Sequence, residues 1–291
     1  MTRVLAIDLG GTQLRAAVSD GDPVSLRDLT REPAPASLAE FTARLLALRA
    51  QAGDVTAIGL SVPGLVEGTQ CRWIPNLPYL DGQDIAELFP DMRIGLGNDA
   101  QISLLAESAA GAARGLSDAI LLAMGTGIGS AVLANGRIVA GARGGACSFG
   151  WACADMGDPG DDRSGWLERM AAGRALDEIA IRLGMNNGAE LVAAARNGDA
   201  AAIAALQKPF QSLGTALAGA VALLDPEVIL IAGGISSALD VLTQPVLETM
   251  RRQLPEHLRQ IEIKAGSFGA RAGLVGAAIA GAARQNWRQI R

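Results

Sequence analysis

Asp8, Gly10, Gly11 and Thr12 fall within five residues, where the apolar run Val4–Leu9 turns back into a second one, Leu14–Val18. Glycines in such a turn let phosphate oxygens approach backbone N–H groups, and the threonine hydroxyl adds a donor. An acid beside a phosphate repels it unless a cation lies between, so Asp8 reads as a partner of Mg²⁺ through phosphate or water. The plainer reading is a tight hairpin whose aspartate satisfies turn amides. The pattern recurs further along. Ala119–Ala123 leads into Met124-Gly125-Thr126-Gly127-Ile128-Gly129 and back out through Ser130–Leu133. This loop has no acid, so its phosphate contact would be direct, through N–H groups; otherwise its glycines relieve crowding in a close-packed hairpin. Both copies then reach a hairpin-type turn, Asp20-Gly21 and Asn135-Gly136. Two such loops predict two related halves that share a nucleotide.

Two further constellations carry chemistry. Leu224–Ser236 reads as a buried strand running into Gly233-Gly234, where a flat ring such as adenine could lie on the backbone; an ordinary strand-to-helix turn has the same local sequence. Asn98-Asp99 lies between a strand end and a helix start, where both residue types cap helices. The chemical reading of Asp99 is a general base that deprotonates a hydroxyl attacking a γ-phosphoryl group.

The elements that must hold these residues follow from pattern and punctuation. Strands are expected near 3–9, 13–19, 24–30, 55–62 and 93–97, with helices near 37–52 and from Asn98-Asp99 to about Ala113. A turn-rich loop spans Ile74–Gly82, and Gly111–Asp118 makes a domain junction. After the second hairpin comes an irregular loop from Gly141 to Ser164. Helices follow near 165–183, 188–196, 199–222, 239–253 and 270–284, with strands near 227–232 and 260–265. This alternation predicts an α/β protein of two domains, 1–115 and 116–291.

The totals exclude several classes. At 291 residues and 49% hydrophobic residues the chain can bury two modest cores. A net charge of −5 leaves no basic footprint for nucleic acid or acidic lipid. The uncharged stretch between Asp118 and Arg137 is broken by glycines and hydroxyls, so it reads as strand–turn–strand rather than a membrane span. Three cysteines, Cys71, Cys147 and Cys153, lack framework spacing and suit a reducing compartment. A strand entered by Val4 leaves no expected signal peptide, so the cytoplasm is the expected location. His257 is the single histidine, placed on the surface, and it rules out a multi-histidine metal site.

The order of motifs resembles the ROK family of sugar kinases and related repressors, within the actin/hexokinase-like ATPase superfamily. The carriers are D-L-G-G-T at Asp8–Thr12, P-N-L at Pro75–Leu77, N-D-A at Asn98–Ala100, G-T-G-I-G-S at Gly125–Ser130 and L-D-P-E-V-I-L-I-A-G-G-I-S at Leu224–Ser236. The resemblance covers nearly the whole chain. It implies two related ribonuclease H-like domains with an interdomain cleft for ATP and sugar. ATP and Mg²⁺ would be held by Asp8, Gly10, Gly11, Thr12, Gly125, Thr126, Gly127, Gly233 and Gly234. Asp99 would be the base, and Asn76, Asn98 and Glu168 would contact the sugar with Gly64 close by. The family's repressors carry a DNA-binding module before the first loop; with the loop acid already at Asp8, that branch is not expected. A homodimer is the expected assembly.

One segment departs from the family pattern. Family kinases carry Glu-Ile-Gly-His in the long loop, where Glu and His grip sugar hydroxyls and the His joins three cysteines on zinc. Here Ser148 falls where the Glu is expected and Trp151 where the His is expected, and Gly157–Trp166 holds no cysteine. Zinc is therefore not expected. Serine is shorter and uncharged, while tryptophan offers one donor and a flat face for stacking on a ring; packing of Trp151 against Trp166 is the structural alternative. Plain glucose and N-acetylmannosamine should be poor acceptors. The reading from another class is a non-catalytic sugar or nucleotide sensor of the same fold.

Overall fold

The computed structural model describes residues 2–283 and 286–289. In chain order the strands and helices begin with β1 (Val4–Leu9), β2 (Gln13–Ser19), β3 (Leu26–Pro33), α1 (Leu38–Ala52), β4 (Ala57–Val62), β5 (Leu65–Glu67) and β6 (Gln70–Trp73). Next come α2 (Ile85–Leu88), β7 (Arg93–Asn98), α3 (Asp99–Ala110), β8 (Ala119–Met124), β9 (Ile128–Ala134), β10 (Arg137–Ile138) and α4 (Trp166–Ala171). The chain finishes with α5 (Gly173–Arg182), α6 (Gly188–Arg196), α7 (Ala200–Leu224), β11 (Val228–Ala232), α8 (Leu239–Gln253), β12 (Ile263–Ala265) and α9 (Ala272–Ala282).

Two units divide these elements. The first holds the chain up to Gly115, Gly136–Ala146 and the segment from Ala270 onward. Its sheet runs β3-β2-β1-β4-β7, with β1 and β2 antiparallel around the Gly10-Gly11 turn and β4 and β7 parallel to β1. Every residue of β1 and β4 is buried, as expected for strands covered on both faces. Ile7, Leu9, Phe41, Leu45, Ile58, Leu60 and Phe89 form the core beneath α1. Ser37 starts α1 by accepting the Glu40 N–H. The other face is covered by α9, and the approach is close: a methyl group added at Gly59 would fall 1.7 Å from the Ala277 carbonyl oxygen.

The second unit holds Leu116–Asn135 and Cys147–Gly269. Its strands β9-β8-β11-β12 repeat the logic of the first sheet: an antiparallel hairpin (β8 and β9), then parallel neighbours β11 and β12. The repeated hairpins of the sequence are thus equivalent positions in two α/β sheets. Helices α7 and α8 pack together, with Gly214 against the Val246 carbonyl.

Three expectations are corrected. The contiguous division 1–115 and 116–291 differs from the observed units, because α9 buries its small-residue face on β1, β4 and β7, and Gly136–Ala146 also belongs to the first unit. The helix expected over 165–183 is two helices. Ala172 is extended at ψ 167°, and the Gly173 N–H turns away to donate to the Gly125 carbonyl at 2.7 Å. The helix placed near 270–284 spans Ala272–Ala282, and Arg284 lies outside the described residues. The hairpin β5-β6, helix α2 and strand β10 are short elements that the sequence pattern does not announce.

Candidate functional site

In the first unit the Gly10 N–H donates to the Gln13 carbonyl at 2.9 Å and closes the turn, leaving Gly11 and Thr12 exposed at its tip. Asp8 sits one strand position before the turn, buried, and pairs in register with Arg15 on β2. Arg15 Nη2 donates to Asp8 Oδ2 at 2.5 Å, and Nη1 reaches the Ala270 carbonyl. Burial pushes the Asp8 carboxyl up, and the Arg15 guanidinium works against that. Gly273 of α9 lies against the same carboxyl: a methyl group there would come 2.6 Å from it. Arg15 escaped the sequence reading because the pairing depends on which residues close the turn: closure between Gly10 and Gln13 sets residue 15 opposite residue 8, whereas a two-residue Gly10-Gly11 turn would set residue 13 there.

Asn98 ends β7 and caps α3. Its Oδ1 accepts the Ala100 N–H at 3.0 Å, and its Nδ2 donates to the Gly64 carbonyl at 3.0 Å. The cap reading therefore holds, and the same side chain ties the start of α3 to Gly64. Asp99 is the first residue of α3, and its Oδ1 accepts the Ala100 N–H at 2.8 Å. Burial, and then the nearby charge of Asp8, push the Asp99 carboxyl up to about 6, against the Ala100 N–H that lowers it. Asn76 packs on the turn, its Cβ 2.8 Å from where a Gly11 methyl would be. Gly64 at φ 146° lies against Trp73 and Ile74, which precede Asn76. Asp8, Gly10, Gly11, Thr12, Gly64, Asn76, Asn98 and Asp99 thus form one neighbourhood within this unit, on a turn, two strand ends and a helix start.

The second unit gathers the other residues. The Gly125 N–H donates to the Gly127 carbonyl at 3.0 Å, closing the loop with Thr126 exposed at its tip. The start of α5 is bonded to this loop, through Gly173 to Gly125 and Arg174 to Thr126. Gly233, at φ 80°, packs on Met124 with no room for a side chain, which brings Gly233-Gly234 to the base of the loop. Glu168 Oε1 accepts the Ile128 N–H at 2.8 Å and Oε2 the Gly165 N–H at 3.3 Å. Gly150 packs on Glu168, on the short turn Phe149–Trp151 that follows Ser148. Ser130 holds that turn by accepting the Phe149 N–H at 3.0 Å and donating to the Cys147 carbonyl. Ser148 is exposed, and Trp151 has 48% of its surface open. Trp166 is buried, and it is the Gly165 backbone that meets Trp151. His257 is exposed, as expected.

Two α/β units of one strand order, each with a glycine hairpin loop at its first two strands, define the actin/hexokinase-like fold. The profile of the ROK family matches residues 4–283, and the chain belongs to that family. It is 32% identical to the bifunctional enzyme NanE/NanK of Brucella suis biovar 1 (strain 1330), over 94% of this chain and 52% of that protein. It is 28% identical to the kanosamine kinase of Amycolatopsis mediterranei (strain S699), over 95% of each. Among solved structures, the ROK hexokinase from Thermus thermophilus superposes with a TM-score of 0.79 at 29% identity, over 96% of this chain and 98% of that one. The chain spans about half the length of the bifunctional relatives that it matches.

Proposed function

We propose that the chain is an ATP-dependent carbohydrate kinase, transferring the γ-phosphoryl group to a hydroxyl of a sugar or sugar-like polyol other than plain glucose. The observation that carries this reading is the Asp99 carboxyl, held at a helix start beside Asp8 and titrating near 6, where a general base is effective at neutral pH. Asp99 accepts the proton of the acceptor hydroxyl as its oxygen bonds to the γ-phosphorus. The bond to the β-bridging oxygen breaks, and ADP leaves with that electron pair.

Gly10, Gly11 and Thr12 of the first unit, with Gly125, Thr126, Gly127, Gly233 and Gly234 of the second, are assigned to ATP. Asn76, Asn98, Gly64, Glu168, Ser148 and Trp151 are assigned to the acceptor. Mg²⁺ typically keeps waters and takes one or two carboxylates plus substrate phosphates, so Asp8 beside the first loop suits it without a protein cage. The cation would neutralise charge developing on the phosphates. The negative charge and three free thiols agree with a cytoplasmic protein, and exposed Ile203 and Leu223 on α7 agree with a homodimer.

The test is coupled ADP release with Mg-ATP across hexoses, amino sugars, sugar acids and polyols, with Asp99→Asn in parallel. An acceptor whose turnover is lost in Asp99→Asn is the expected result. Binding of ATP with silence across the whole panel would overturn the kinase in favour of a sensor.

A further inference from the structure

Residues 152–164 contain no helix or strand, yet they run beside the Ser148–Trp151 turn and lead into α4, which carries Glu168. In the family pattern this loop is held by zinc. The donors here do not suit that ion. Cys153 is the one cysteine of the segment, and its Sγ contacts the Asp155 carbonyl at 3.2 Å. Histidine is absent from it, and zinc favours four sulfur or nitrogen ligands. Of the carboxylates that could substitute, Asp162 is exposed, and no three such residues converge on one point among the described residues. Asp155 accepts the Gly157 N–H at 2.9 Å, and Asp161 accepts the N–H groups of Arg163 and Ser164 at 2.7 and 2.9 Å.

Asp158 is the exception in kind, because its partner is a cation. Arg169 Nη2 stands 2.7 Å from both Asp158 oxygens, and Nη1 donates to the Ser164 carbonyl at 2.5 Å. The two side chains are 24% and 14% exposed, so this pair is sheltered, unlike the surface pair Arg72–Glu67 at 49% and 62%. The Arg169 guanidinium also holds Asp158 below the usual carboxylate range, which keeps the pair charged at neutral pH. One planar cation therefore spans the middle of the loop, its last residues and the first turn of α4.

We propose that Arg169 is a positioning residue that takes the structural place of a metal, tying residues 155–165 to α4 and so fixing Glu168 and the Ser148–Trp151 turn. The path is short. Arg169 follows Glu168, its own N–H donates to the Gly165 carbonyl at 3.1 Å, and Gly165 N–H is one of the two donors to the Glu168 carboxylate. Releasing Ser164 therefore loosens one side of Glu168 while its bond to Ile128 remains. The effect on sugar rests on the carbohydrate-kinase reading; the brace itself does not.

The experiment uses the full chain and the variants Arg169→Met, Arg169→Lys, Asp158→Asn and the double variant Asp158→Asn/Arg169→Met. Amide hydrogen exchange across 152–168 is measured with and without prior dialysis against EDTA. In Arg169→Met, exchange in 155–165 should rise by about tenfold or more, with Arg169→Lys between it and the parent. The double variant should match Arg169→Met, since the two side chains act as one unit. Dialysis should leave the parent's exchange unchanged. In kinetics, KM for the acceptor should rise about tenfold in Arg169→Met with KM for ATP within about threefold. Unchanged exchange in Arg169→Met, or stoichiometric zinc whose removal loosens the loop, would overturn the proposal. If Arg169→Met does not fold, Arg169→Lys and Asp158→Asn decide by the same exchange measurement. Exchange behaving as stated in a protein with no sugar turnover would sink the kinase reading and leave the brace standing.

Discussion

Glu168 Oε1 accepts the backbone N–H of Ile128 at 2.8 Å, which anchors an acid of α4 on the second glycine loop, 40 residues earlier in the chain. With Oε2 on Gly165, the carboxylate links the Gly125–Gly129 loop to the loop that carries Ser148 and Trp151. A carboxylate has about four acceptor positions, so two N–H groups leave capacity for an acceptor hydroxyl. Its removal should therefore disturb both substrates. Glu168→Ala is expected to raise KM for ATP and for the acceptor each by about tenfold, and Glu168→Gln, which keeps one oxygen, by less. Initial-rate kinetics in both substrates check this. A change confined to the acceptor would mean that the Ile128 bond does not position the loop.

Asp99 separates activity from stability. Asp99→Asn retains an oxygen for the Ala100 N–H and leaves the Asn98 cap in place. Turnover should fall by about 10²–10⁴-fold. The carboxyl rises from an ordinary 3.8 to about 6 in the fold, chiefly through burial. Its contribution to stability is thus complete below about pH 4 and is lost as pH rises through 6, where the buried group must ionise. Asparagine escapes that cost, roughly 3 kcal/mol at most. The variant should melt higher than the parent at pH 8 and not at pH 4. In the parent, kcat/KM should climb with pH through about 6, as the base form appears, and the rate profile and melting curves test both signs.

Trp151 offers an open aromatic face at a turn whose backbone is held by Gly150, Gly165 and Ser130, so its ring can be removed without disturbing the core. Trp151→Ala should raise acceptor KM by about tenfold, consistent with a lost stacking contact of ~1–2 kcal/mol, with melting unchanged. Ser148→Glu with Trp151→His should increase kcat/KM on glucose, which the parent should use poorly. Equal glucose turnover by parent and double variant would show that these positions do not select the acceptor.

The two glycine loops were legible because a strand, a turn and a returning strand leave a local signature, and the Asn98-Asp99 junction was legible because a strand end met a helix start; that junction alone suits a helix cap, and the reading of Asp99 as a base comes from the order of the motifs. What failed was anything set by contacts between distant segments. Trp166–Arg182 has continuous helical periodicity and no proline, yet it breaks at Ala172, where Gly173 bonds to Gly125. The Glu168 to Ile128 bond could not be read from residues that far apart, although the type of residue at 168 was singled out. Ala272–Ala282 is apolar around most of its circumference, which announces burial without saying on which sheet. Arg15 is the different case: its pairing with Asp8 follows once the turn is seen to close between Gly10 and Gln13, one residue later than the glycine pair suggests.

The close seat of α9 gives the sharpest stability test. A methyl group at Gly59 would stand 1.7 Å from the Ala277 carbonyl oxygen and 2.4 Å from its carbon, both backbone atoms that cannot rotate aside. The helix must move off β4, and neighbouring Gly95 and Gly276 make the same kind of contact, with Ala280 and with Ile102. Overpacking of this kind costs ~3 kcal/mol or more. Gly59→Ala should therefore lower the melting temperature by about 5–10 °C. Gly219 is the control, exposed in α7 with no atom within 4 Å of an added methyl, and alanine there should stabilise by up to ~1 kcal/mol through helix propensity. Because α9 also sets Gly273 against Asp8, Gly59→Ala should weaken Mg-ATP use beyond its effect on folding. Thermal melts of both variants, with Mg²⁺ titrations at a temperature where each is folded, separate the two effects. A Gly59→Ala protein as stable as the parent would mean that α9 is not seated on β4 in this way.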